Sequence, residues 1–418
     1  MAGAARRCGL SRRAFLAGGL GTGAAVVGAG ALASCASSSD TGGQLQDPRY
    51  VPFEGTHQTG ITAVPVPARS LMAAFSIQAS DRAGLRRLFT ELTEEIRGLM
   101  AGRPLQQRDP TYPPLDSGIL GTSPPADDLS VVVSVGSSLF DARFGLADRK
   151  PIELVEMPFL ANDRLDPARS HGDLLLTLEA HHPDTIQFAL RQLMRRTRSD
   201  LVLRWMIEGY TRGSVNAASG GTPRNLLGFK DGTANLRQDD DAVMDRYVWV
   251  AASDPEPDWA TGGSYHVART IRMFVEFWDR TPLREQEALI GRQKASGAVL
   301  GLASEHDTPS YGQDPAGLVV PLTAHIRLAN PRTPATDENL ILRRGFSFSR
   351  GFDSSGQLDQ GLAFVCYQRS LRKGFLTVQE RLSGEPLEEY IMAVGGGFFF
   401  ALPGVPSRNR FLGDALLA

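Results

Sequence analysis

Apolar and polar positions recur in the same order in two parts of the chain. Leu71 to Ile77 is apolar almost throughout and predicts a strand. Ser80 and Asp81 then offer a helix cap, and Leu85, Leu88, Phe89, Leu92, Ile96 and Leu99 follow at helical spacing. Leu174 to Leu178 predicts a second strand, and Asp184 to Arg196 the helix after it. In the second half, His266 to Trp278 alternates as a strand. Thr281-Pro282 then starts a helix towards Arg292, with proline at its favoured first position. Further on, Phe346 and Phe348 alternate after an arginine pair, and Leu362 to Tyr367 is another β-prone run.

Strand–helix–strand units occurring twice, with no glycine-rich dinucleotide fingerprint, predict an α+β fold. The expectation is a tandem pair of ferredoxin-like domains, antiparallel sheets with packed helices, at 53–215 and 216–418. The joint falls between Trp205 and Gly228, where Gly, Ser, Asn and Pro gather from Arg212 to Arg224. A charged, proline-bearing loop, Ser253 to Gly263, interrupts the second half.

Composition narrows this only slightly. The 418 residues suffice for about two domains at roughly 150 residues each. A formal net charge of -2 argues against nucleic acid as the main partner.

The first 35 residues read as a targeting segment. Ser11-Arg12-Arg13-Ala14-Phe15-Leu16 places a twin arginine before a Gly/Ala-rich apolar run to Leu32, too weakly apolar for a comfortable membrane span. This resembles the twin-arginine (Tat) export signal, a receptor-read address for folded cargo. Leu32-Ala33-Ser34-Cys35 resembles a lipobox, and plain cleavage after Ala31-Leu32-Ala33 is the competing reading. A lipid on Cys35 would hold the protein at a membrane surface. Residues 36–52 read as a flexible tether. Of the three cysteines, Cys8 leaves with the signal. If Cys35 is acylated, Cys366 has no disulfide partner, and it reads as a small buried hydrophobe.

The chemistry centres on Gly228-Phe229-Lys230-Asp231-Gly232-Thr233-Ala234-Asn235. Asp231-Gly232 alone is a turn dipeptide. The spacing to Asn235 faintly suggests a calcium loop, but the further acids are missing. The apolar lead-in Leu226-Leu227-Gly228-Phe229 would bury the aspartate's surroundings beside a turn that lets a flat ligand approach. Downstream stand His325, near an expected strand end, and Arg343-Arg344. A lone histidine is more often structural than a ligand, and the other six keep that reading. Period two puts Arg344, Phe346 and Phe348 on one face and Arg343 on the other, without saying which arginine reaches a pocket.

From about Phe53 onward the chain resembles the dye-decolourising peroxidases, most of all the Tat-exported branch linked to bacterial iron uptake and described as deferrochelatase/peroxidase. The residues from Gly228 to Asn235 match that family's GxxDG element. His325-Ile326-Arg327 with Asn330-Pro331-Arg332 matches its proximal segment, and Arg343-Arg344-Gly345 its distal arginine segment. Met157-Pro158-Phe159 through His171-Gly172-Asp173-Leu174 also looks familial, without assigned chemistry. The resemblance implies one haem b per chain, held in the C-terminal half. It makes Asp231 the distal acid–base residue, His325 the axial iron ligand and Arg343 the distal arginine. Gly232, Thr233 and Ala234 would line the haem, and Asn330, Pro331 and Arg332 would flank it, Arg332 near a propionate. Leu362 and Phe364 would cover the distal face, and Glu388 or Glu389 would hydrogen-bond the axial histidine. The implied partners are hydrogen peroxide and a reducing substrate, with an iron-uptake permease and an iron-binding protein as further candidates. An aspartate base, titrating near roughly 3.9, predicts an acidic optimum for dye oxidation. Trp249, Trp259, Trp278 and Tyr367 are candidate electron relays, with core packing as the competing reading.

Overall fold

The structure is a computed structural model that describes residues 50–104, 106–212 and 221–418. The expected export signal with Cys35, most of the tether and much of the Arg212–Arg224 joint lie outside the described residues. Among the described residues no helix is long and apolar enough to cross a membrane.

The first half runs β1 (Arg69–Ile77), α1 (Arg82–Met100), β2 (Ser130–Gly136), β3 (Leu174–Ala180), α2 (Pro183–Arg196), β4 (Leu201–Tyr210). β1 pairs antiparallel with both β3 and β4, and β3 with β2, giving the order β4-β1-β3-β2. After a short α3 (Asp241–Tyr247), the second half repeats the plan. β5 (Ser264–Met273) is followed by α4 (Leu283–Ile290), α5 (His325–Ala329) and a two-residue β6 (Leu342–Arg343). Then come β7 (Phe346–Phe352), β8 (Leu358–Gln368), α6 (Thr377–Leu382) and β9 (Ile391–Ala401). The order here is β9-β5-β8-β7, the same arrangement again. β2 joins β9 through Val135↔Phe400, and β4 joins β7 through Tyr210↔Ser347, so the sheet closes on itself and its long edges are paired.

Closure explains the apolar run in β1. Leu71, Ala73, Phe75 and Ile77 face the helices, in one cluster with Leu85, Phe89 and Leu92 of α1. Met72 and Ala74 face the barrel interior, in a second cluster with Leu175, Phe348, Tyr367 and Phe399. Both faces are therefore buried, which removes the polar alternation of a one-sided strand. α1 starts where expected, its first turn capped by the Asp81 carboxylate accepting from the Gly84 amide at 2.7 Å.

Three local expectations need correction. The strand expected from His266 to Trp278 stops at Met273, and Val275–Trp278 is a helical turn. That turn lets Val275 and Trp278, three apart, enter one apolar cluster with Leu227 and Phe229, which strand geometry would have split between faces. Pro282 caps α4 from outside rather than opening it, and Gly291, at φ 92°, ends it before Arg292. His325 opens a five-residue helix instead of sitting at a strand end.

Candidate active site

Beside β5 and β8 lies a cavity of about 700 Å³. Asp231, Gly232, Thr233, Ala234, His325, Asn330, Arg332, Arg343, Leu362 and Phe364 all line it, so ten expected site residues meet in one place. Pro331 does not line it. Leu362 and Phe364, two apart on β8, share the face turned to the cavity.

Asp231 is held by the turn around it. Its amide donates to Pro223 O at 2.8 Å, and Gly232 adopts φ 122°, a conformation a side chain would resist. Gly228 is left-handed as well, at φ 86°, and the Lys294 side chain packs against it. The apolar lead-in is buried as expected: Leu227 and Phe229 are 2% exposed, and Trp278 Nε1 donates to Leu227 O at 2.9 Å. Asp231 Oδ1 accepts from Arg343 Nη1 at 2.7 Å, while Oδ2 has only a long 3.4 Å contact from Asn225 Nδ2. One carboxylate oxygen is thus occupied and the other nearly free.

Asn235 sets the spacing of that pair. Its Nδ2 donates to Arg343 O at 2.8 Å, and its Oδ1 accepts from the Arg343 amide at 2.9 Å. With its side chain so engaged, Asn235 is no member of a calcium loop.

His325 lines the same cavity, and the charges of Arg343 and Asp231 reach it. Its Nδ1 contacts both oxygens of Glu385, at 3.0 and 2.9 Å. Its Nε2 has no hydrogen-bond partner among the described residues, and about a third of the side chain is accessible. Burial alone would push the imidazole pKa down, but the charge and hydrogen bond of Glu385 outweigh it and the net shift is upward. Glu385 corrects the expectation that Glu388 or Glu389 would take this role. Glu388 lines the cavity without touching His325, and Glu389 is exposed. The signal was present in Gly384-Glu385-Pro386. A residue before proline is confined to extended backbone, and Glu385 (φ −65°, ψ 146°) is fixed in that way and 5% exposed.

Arg292 and Tyr311 were not anticipated. Both line the cavity, at 6% and 9% exposure. Arg292 Nη1 donates to Gly297 O at 2.6 Å and Glu305 O at 3.0 Å. Burial, reinforced by the charges of Arg332 and Arg343, lowers the Arg292 pKa. Arg332 itself is left-handed at φ 57°, and its charge acts on Tyr311, whose phenol pKa is pushed up by burial. Among the described residues neither Arg292 nor Arg332 has a carboxylate partner. This wall of the cavity therefore carries surplus positive charge.

The remaining candidates are structural. Arg344 turns away from the cavity's acid into the barrel, where Nε and Nη2 hold Glu179 at 2.6–2.9 Å. Cys366 is buried, its thiol donating to Gln368 Oε1 at 3.1 Å. Trp249, Trp259, Trp278 and Tyr367 are all at most 5% exposed, as core residues are. His181 pairs with Asp128 at 2.9 Å, as a structural histidine does.

Comparison with known proteins agrees with this geometry. The Dyp-type peroxidase N-terminal family model matches residues 58–211, and the C-terminal one residues 222–406. A protein of Shigella sonnei named Deferrochelatase is 52% identical over 368 residues, 88% of this chain and 87% of that one. One of the same name from Yersinia pestis is 49% identical over 411 residues, 97% and 94% of the two chains. Among solved structures, ferric DtpA from Streptomyces lividans aligns with TM-score 0.80 and 33% identity over 89% of this chain and 98% of that one. A DyP-type peroxidase from Cellulomonas bogoriensis gives 0.78 and 34% over 89% and 99%. The α+β barrel is accordingly the duplicated ferredoxin-like fold of those structures, and the chain belongs to the Dyp-type peroxidase family of haem-dependent enzymes.

Proposed function

We propose that the cavity holds one haem b, with His325 as axial ligand, Asp231 as acid–base residue and Arg343 as charge stabiliser in a peroxidase reaction. The observation that carries this is the His325 ring. Glu385 takes Nδ1 and leaves Nε2 free in the same cavity as an acid–arginine pair, which is the donor arrangement a haem iron requires. The cavity also suits the rest of the cofactor. The apolar Leu362, Phe364 and Ile271 suit a porphyrin face, and the surplus charge of Arg292 and Arg332 suits its carboxylates.

When bound, haem supplies the redox chemistry, accepting oxidising equivalents from hydrogen peroxide and returning them to a reductant by single electrons. The protein's part is the proton. Peroxide must lose a proton from one oxygen and gain it on the other before its O–O bond parts to release water. The nearly free Oδ2 of Asp231 is the atom that takes and returns that proton. Arg343 Nη1 fixes the other oxygen, and the rest of its guanidinium faces the negative charge that grows on the departing oxygen. Asn235 holds the two groups in register through the Arg343 backbone. Leu362 and Phe364 give the site an apolar wall.

The relatives named Deferrochelatase favour a second role, release of iron from haem in the same cavity. In this reading the protein is exported by the Tat route, works outside the cytoplasm, carries a lipid on Cys35 and serves an iron-uptake permease with its iron-binding partner. One comparison separates the two roles on purified protein: peroxide-driven dye oxidation against ferrous iron trapped from haem. Fast dye oxidation below neutral pH without iron release supports the peroxidase. Iron release with intact porphyrin and no dye turnover would refute it in favour of the second role.

A further inference from the structure

Between α4 and α5 lies a long segment, residues 292–324, with a small core of its own. Val299, Tyr311, Val320 and Ala324 form a cluster apart from the barrel's cores. Such a satellite belongs to the low-stability end of a fold, where local opening is cheapest. The segment supplies Arg292 and Tyr311 to the cavity wall and leads directly into His325. Facing it is the turn that carries Asp231.

Two sets of side-chain bonds cross the seam. At its start, Arg224 donates to Lys294 O at 2.6 Å and to Ala295 O at 2.8 Å. Farther along, among the described residues, one side chain from 299–324 reaches the turn: Glu305. It accepts from Thr233 Oγ1 at 2.9 Å, from Thr222 Oγ1 and from Lys230 Nζ, and is 12% exposed. All three donors line the cavity, and Lys230 and Thr233 flank Asp231. Gly297 presses so close that an added Cβ would lie 2.6 Å from Lys230 Cδ. Nothing in the proton chemistry uses Glu305.

We infer that Glu305 is a latch: it holds the 292–324 segment shut against the Asp231 turn and thereby sets how fast a porphyrin enters or leaves the cavity. This rests on the haem reading of that cavity. A rigid plane walled by both segments leaves faster when one of them moves, and three charge-assisted donors on one carboxylate are the strongest cross-seam tie. A slow exit suits a resident cofactor. A latch that can be opened suits a protein that must also discharge its porphyrin. Burial pushes the Glu305 carboxyl up, but the bonds from Lys230, Thr222 and Thr233 more than offset this and bring it to about 2. The latch is therefore charged throughout the mildly acidic range.

The test is transfer of haem from the loaded protein to excess apomyoglobin, followed in the Soret region. Glu305→Gln and Lys230→Glu should each speed transfer about tenfold or more, with Glu305→Asp in between. The charge-swapped double variant, Glu305→Lys with Lys230→Glu, should recover part of the wild-type slowness, which general loosening would not do. Folded, haem-loaded Glu305→Gln that releases haem at the wild-type rate would overturn the latch alone. Wild-type protein that takes up no haem would overturn the haem reading and the latch together.

Discussion

Arg343 and Arg344 are adjacent in the chain and each grips a carboxylate, yet they do opposite work. Arg344 points into the closed barrel and is 3% exposed. It holds Glu179 with three contacts and also donates to Ala63 O and Gln238 Oε1. Glu179 comes from β3 of the first half and Arg344 from the second, so this pair staples the halves together. Arg343 points into the cavity, and its pair with Asp231 leaves 34% and 29% of the two side chains accessible. The same pair chemistry is structural where every guanidinium nitrogen has a partner and the pair is buried, and reactive where one carboxylate oxygen is left over. Burial and unmet bonding capacity separate the two, not charge.

The comparison breaks most sharply on activity. Asp231→Asn should keep haem and the fold but slow the reaction with peroxide by about 100- to 10,000-fold, measured by stopped-flow. Glu179→Gln should leave peroxide chemistry intact in whatever protein folds. Equal kinetic damage from both would erase the distinction. Stability should show the reverse. Glu179→Ala leaves a buried guanidinium uncompensated and should cost about 3–5 kcal/mol in urea unfolding, whereas Asp231→Ala should cost about 1 kcal/mol or less.

A third, smaller effect concerns register. Asn235→Ala removes both bonds to the Arg343 backbone and should lower kcat/KM for peroxide about five- to thirtyfold. Unchanged kcat/KM would mean that the Asp231–Arg343 pair orients itself. The smallest effect is in pH dependence. Glu305 is held at about 2, below the ordinary 4.5, so its stabilisation is complete above about 4.5 and disappears as pH falls towards 2. Wild-type unfolding should steepen across that window more than Glu305→Gln does; matching curves would show that the carboxylate contributes nothing.

Much of this was legible in the chain, for identifiable reasons. The α1 apolar stripe and its Asp81 cap are local signals, and they gave the helix almost to the residue. Period two separated Arg343 from Arg344 correctly. It could not say which face held the cavity, because that depends on how β6 and β7 sit in a barrel closed by strands more than a hundred residues apart. The His266–Trp278 strand was overextended because Trp278 obeys a tertiary demand, its indole bonding Leu227 O, which alternation does not register. Glu385 was passed over for acids three and four positions later. Its backbone before Pro386 was the better guide, but only the fold brings it to His325, sixty residues away. Glu305, in a stretch without periodicity, has no local signature at all.

The central claim is that His325 binds a haem iron through Nε2, and absorption spectroscopy of purified protein tests it most directly. Wild type and Asp231→Asn should both show a Soret band at full haem occupancy. His325→Ala should lose the band or hold haem loosely, with added imidazole restoring a ligated spectrum. Colourless wild-type protein grown with ample haem, or a His325→Ala spectrum identical to wild type, would contradict the account.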